Sequence, residues 1–122
     1  MRSTIIITLC CLSLTPAAIA AAPNDGTYHG AIQLMRGETP PCARTGTPRV
    51  MTITNNQLTY MHFGDMKFSP DVGPDGSFSG RAFRSTAARG GSYDLKGRVS
   101  GGHIEADLSN SQCTYHMSLT RG

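Results

Sequence analysis

Two alternating runs meet at Gly101-Gly102, and this hairpin constrains the fold more than any other stretch of the chain. Counting outward from the glycines, Val99 faces Ile104 and Leu95 faces Leu108. On the other face the same register sets Arg98 opposite Glu105 and Lys96 opposite Asp107. One register that satisfies two apolar pairs and two opposite-charge pairs at once is well specified. Gly-Gly also suits the positive φ of a two-residue hairpin turn.

The same reading extends along the chain. Asn55-Asn56 turns a second hairpin that pairs Ile53 with Leu58 and Met51 with Tyr60. Asn110-Ser111 turns a third, pairing Ala106 with Tyr115 and Ile104 with Met117 and setting Glu105 beside His116. Pro74-Asp75-Gly76 is a further turn, between strands around Phe68 and Phe78. Nowhere after residue 22 do apolar residues recur at helical spacing for more than two turns. The spacing predicts eight strands, at 26–34, 48–54, 57–62, 66–70, 76–84, 91–99, 103–109 and 112–120, with longer loops at 35–47 and 85–90. Their apolar positions make one inner face, from Tyr28 and Ile32 to Met117 and Leu119. The fold class is therefore all-β, an eight-stranded antiparallel meander closed into a barrel by strand 8 against strand 1, which removes both edges. An open β-sandwich is the alternative. The stretches Asp25–Gly30 and Asp75–Gly80 resemble one another, as recurring hairpin chemistry would make them. The Gly closing each eases strand curvature or leaves room for a facing Tyr.

The N-terminus reads as an export signal. Arg2 precedes the apolar run Ile5–Leu14, Pro16 breaks it, and Ala18 and Ala20 suit a signal-peptidase site before Ala21. The run falls short of the roughly 20 residues that span a bilayer, and no later stretch could span one. Cys10 and Cys11 lie inside the run with no small-residue box before them, so lipidation is not expected. Residues 1–20 are thus expected to leave as a signal peptide, and 21–122 to form one domain in the periplasm or outside the cell. Two cysteines remain, and an exported pair reads as a Cys42–Cys113 disulfide. Cys113 falls on the inner face of the last strand, so Cys42 must come from a loop folded over one end. Without Arg2 the chain has 10 basic and 8 acidic residues, a net charge of +2. That balance lacks the basic stripe of a nucleic-acid binder.

An opening Asp-Gly-Thr-aromatic strand at 25–28, a Pro-Asp-Gly-Ser-Phe-Ser-Gly turn and strand at 74–80, and a closing Cys-Thr-Tyr-His-Met-Ser-Leu-Thr-Arg strand at 113–121 follow the Ala-rich signal. In this the mature chain resembles a group of short exported proteobacterial proteins of uncharacterised function, which implies no activity. The architecture also looks like that of small bacterial barrel inhibitors of proteases or lysozyme, and loosely like avidins and lipocalins. Those last two open with Gly-x-Trp; this chain has Gly26-Thr27-Tyr28 and contains no Trp.

His103, Glu105 and Asp107 alternate on one strand face, with His116 across from Glu105 and His29 brought near His116 by closure. Such donors suit a divalent ion, and His103, Glu105 and His116 are the candidate ligands. The expectation is nevertheless no metal and no cofactor, since Arg98 and Lys96 already pair with the carboxylates. No nucleophile elbow, Ser-x-x-Lys or facing carboxylate pair is present, so no catalytic residue is assigned. Arg36, Arg44, Arg81, Arg84 and Arg89, on or near the two longer loops, stay unpaired in this register. They are the candidate contacts for a protein or an anionic glycan of the envelope. The expected function is a non-catalytic binding module, with an inhibitor as one form of it. The alternative is a structural or stress-related envelope protein without a discrete ligand, and a metal-dependent enzyme comes third.

Overall fold

The computed structural model describes residues 22–62, 66–83 and 91–122. The proposed signal peptide lies outside them. Eight strands form one antiparallel sheet: β1 (Gly26–Arg36), β2 (Pro48–Thr54), β3 (Gln57–His62), β4 (Met66–Phe68), β5 (Ser77–Phe83), β6 (Ser92–Ser100), β7 (His103–Ser109) and β8 (Thr114–Arg121). Their order is β4-β3-β2-β1-β8-β7-β6-β5. Two four-stranded meanders are thus joined by β1 against β8, as the sequence predicts. The result is a nearly closed barrel, not an open sandwich.

Closure is less complete than expected. Among the described residues no ladder joins β4 to β5, so closing the sheet at β1 and β8 does not remove every edge. The chain between β4 and β5 covers this seam. Pro70 and Val72 bond β3 and the turn before it, through Leu58 N to Pro70 O at 2.9 Å and Val72 N to Asn56 O at 2.7 Å. The Pro70 ring lies against Gly80, where an added Cβ would sit 3.5 Å away. A proline has no amide to extend the ladder with.

Two hairpins have the predicted register. Ile53 pairs with Leu58 and Met51 with Tyr60, across a turn in which Asn55 and Asn56 hold φ of 50° and 61°. Val99 pairs with Ile104, Leu95 with Leu108, Arg98 with Glu105 and Lys96 with Asp107. The third hairpin is displaced by two residues. Its turn takes in Asn110 to Cys113, so Leu108 meets Tyr115, Ala106 meets Met117 and Ile104 meets Leu119. The Asn110 side chain stabilises this wider turn by accepting the amides of Gln112 (2.9 Å) and Cys113 (2.6 Å). Cys113 therefore lies just before β8, buried at its mouth, and not on the strand.

The predicted inner face packs as the core, with Leu34 only partly buried. Met66, Val72, Ala82, Tyr93 and His62 join it. Gly30 is needed where β1 approaches β8, because a Cβ there would lie 2.0 Å from Ser118 O. The space for an aromatic ring is made at Gly97, where an added Cβ would lie 2.7 Å from the Phe78 ring.

Candidate functional site

The 37–47 loop is held over one end of the barrel by several bonds of different kinds. Cys42 is disulfide-bonded to Cys113, with Cα atoms 5.7 Å apart. The Ala43 amide donates to the Tyr115 hydroxyl at 2.8 Å, and the Leu34 amide to Thr45 Oγ1 at 3.0 Å. Gly46 N to Ile32 O (2.8 Å) and Ile32 N to Thr47 O (3.0 Å) tie the loop back to β1. A bulge between Leu34 and Arg36 interrupts the alternation of β1. Met35 and Arg36 are consequently both exposed, a usual effect of a bulge. Arg44 is exposed on the loop itself.

The five candidate arginines do not form one patch. Arg36 and Arg44 share the disulfide end. Arg81 is on β5, four strands from β1 in either direction around the sheet order, and so on the opposite wall. It is not unpaired either: its Nε lies 2.7 Å from Asp94 Oδ1, its cross-strand neighbour. Arg84 and Arg89 lie outside the described residues.

Under the same end sits a polar group that the sequence reading missed. His62 is fully buried, and its Nδ1 is 2.9 Å from the Tyr60 hydroxyl. The rings of Tyr93 and Tyr115 tilt against it at 5.1 and 5.8 Å. Burial pushes the Tyr60 phenol up to about 12, against the opposing pull of Arg49. The signal for His62 was present, since it continues the inward series Leu58, Tyr60 on β3.

The outer wall of β7 and β8 carries the second cluster. The Cα partners of Arg98 and Lys96 are as predicted, but the ion pairs are not. Arg98 reaches Asp75 at 3.6 Å. Glu105 instead receives His103 Nε2 on Oε1 and His116 Nε2 on Oε2, both at 2.5 Å. His116 Nδ1 lies 2.9 Å from Asp107 Oδ1. By register His116 faces Asp107 and Glu105 faces Ser118, so the His116 ring reaches Glu105 diagonally. Nor is His29 opposite His116: it faces Thr120, while Gln33 holds the place beside His116.

His103 first, then Ser118 and His116, hold the Glu105 carboxyl down to about 2. The bond to Asp107, followed by Glu105, raises His116 above the usual histidine value. Among the described residues no group of three or more His, Cys, Asp or Glu side chains is placed to hold a metal ion. The Glu105 carboxylate itself fills the space between the two imidazoles. Beside it, an open and shallow groove of mixed charge is lined by Lys96, Arg98, Glu105, Asp107 and the serines Ser77 and Ser79.

Comparison of the chain with protein-family models, with curated proteins and with solved structures finds no match.

Proposed function

We propose that the chain is an exported, non-catalytic binding module that meets an acidic protein surface or an anionic glycan of the envelope with its disulfide-bonded end. The observation that carries this reading is the fixed 37–47 loop, tied at Cys42, Ala43, Thr45, Gly46 and Thr47 with Arg36 and Arg44 exposed. A loop already held in one conformation loses little entropy on binding, which is also how a small inhibitor presents its contacts. Met35, 58% exposed beside Arg36, adds an apolar contact. Arg81 is paired to Asp94 and drops out of the proposed contact surface.

Affinity capture from a periplasmic extract, with the oxidised protein as bait, tests the reading at two salt concentrations. A captured partner should be released by raised salt. It should bind more than tenfold more weakly to the Arg36→Glu, Arg44→Glu double variant. Equal capture by that variant removes the proposed surface. Capture of nothing at low salt favours an envelope protein without a discrete ligand.

A further inference from the structure

We infer that the outer wall of β1–β4 is a docking surface for an anionic phospholipid bilayer, which Val50 and Met61 enter as apolar contacts and Lys67 and Arg36 meet as cations. Val50 on β2 and Met61 on β3 are 46% and 47% exposed. The ladder that pairs Met51 with Tyr60 sets them side by side, one step further on. Pro48 and Ala31, Cα partners and both exposed, widen the patch toward the disulfide-bonded end. Lys67 is the Cα partner of Met61, so a cation stands directly beside the apolar pair.

The strands of the two meanders divide the charge unevenly. β1 to β4 carry Arg36, Arg49 and Lys67 and no carboxylate. The acidic residues of the strands, Asp94, Glu105 and Asp107, are all on β6 and β7. Among the described residues the carboxylates that flank the wall are Asp25, bound to the Asn55 and Asn56 amides, Glu38 in the loop after β1, and Asp71 opposite Gln57. The wall therefore presents a positive field around an apolar centre.

Cations beside exposed apolar side chains are what an anionic bilayer surface attracts and takes up. The outside of a barrel is convex and offers no cleft to a peptide or a small molecule; open grooves run instead along β5, β6 and β7. A fluid lipid surface needs no matching shape. A second copy would have to bring carboxylates to this wall, and those of β6 and β7 are engaged, Asp94 by Arg81, and Glu105 and Asp107 by histidines. The inference goes beyond the proposed partner of the disulfide-bonded end and shares Arg36 with it.

Flotation of the oxidised protein with vesicles of phosphatidylcholine, with and without one-third phosphatidylglycerol, tests the inference. The protein should bind the anionic vesicles alone and leave them as salt is raised. Val50→Ser with Met61→Ser, which changes no charge, should weaken binding at least tenfold. Lys67→Gln should weaken it about fivefold, whereas Lys96→Gln, which removes one exposed cation from the other meander, should leave it unchanged. These side chains are exposed, so circular dichroism should show the variants folded. Absence of binding by the parent protein overturns the inference. So does undiminished binding by the Val50, Met61 double variant, or an equal loss from Lys67→Gln and Lys96→Gln. A dimer of the parent in sedimentation that the double variant dissociates also overturns it, because the wall would then face a second copy. Partner capture by the disulfide-bonded end is read without vesicles, so its failure is distinguishable from failure here.

Discussion

Tyr60 shows how one residue can be placed by the sequence while its chemistry is not. Alternation puts it inside the barrel, opposite Met51, and it is there. What alternation does not report is that its hydroxyl meets a buried histidine. His62 lies two residues on in the same inward series, yet its polar type hid it from a core read by hydrophobicity. The burial of its hydroxyl has a consequence at alkaline pH. An unfolded tyrosine ionises near 10.0, whereas Tyr60 in the fold ionises at about 12. The neutral phenol therefore contributes its full stability below pH 10, and this is lost as pH rises through 12. Tyr60→Phe should lower stability at neutral pH by about 1–3 kcal/mol, because it strips the hydroxyl from a buried imidazole. It should also flatten part of the alkaline loss. Urea unfolding of both proteins between pH 8 and 12 measures this, and parallel curves for the two would count against it.

Hairpins show the reach and the limits of pattern at the scale of elements. The pattern is blind to an even displacement, because moving a strand by two residues returns every side chain to its own face. The third hairpin was misplaced by that amount while each of its core residues was still assigned inward. Its four-residue turn depends on the Asn110 side chain and on Cys113, which local alternation does not encode. Charge pairing failed for a related reason. A correct Cα register leaves long side chains free to choose diagonal partners, so Arg98 took Asp75 and Glu105 took His116. The candidate site was thus legible in its residues but not in its contacts. Where a turn is short, the sequence is more explicit. Asn56 holds φ of 61°, a region that costs an ordinary L-residue about 1–2 kcal/mol and glycine almost nothing. Asn tolerates it, and Asp25 accepts the amides of Asn55 (2.9 Å) and Asn56 (3.3 Å) from the start of β1. Asn56→Ala should therefore lower the unfolding free energy by about 1 kcal/mol, while Asn56→Gly should match or exceed the parent. Thermal unfolding ranks the three; a parent-like Asn56→Ala would contradict the turn argument.

At the scale of the whole molecule, two features decide how the barrel holds together: the β1–β8 ladder joins the meanders, and the β4–β5 seam is packed without a ladder. The disulfide lies at the first of these. It links the loop that leaves β1 to the turn that enters β8, across 71 residues of sequence. Closing so long a loop in the unfolded chain restricts it strongly, which gives the bridge about 2–5 kcal/mol in a domain with about 5–15 in total. Cys42→Ser with Cys113→Ser should lose stability in that range. In the folded state the damage should be local, because the β1–β8 ladder does not depend on the bridge, whereas the 37–47 loop rests on it and on a few single hydrogen bonds. Native-state hydrogen exchange separates the two effects. Amides of Cys42, Ala43 and Gly46 should exchange much faster in the double variant, by opening of the loop alone, while those of Ala106 and Met117, paired in the barrel wall, should follow only the drop in global stability. Equal acceleration across the loop and the ladder would mean that the bridge stabilises the barrel as one unit, and that the loop has no separate rigidity to offer a partner.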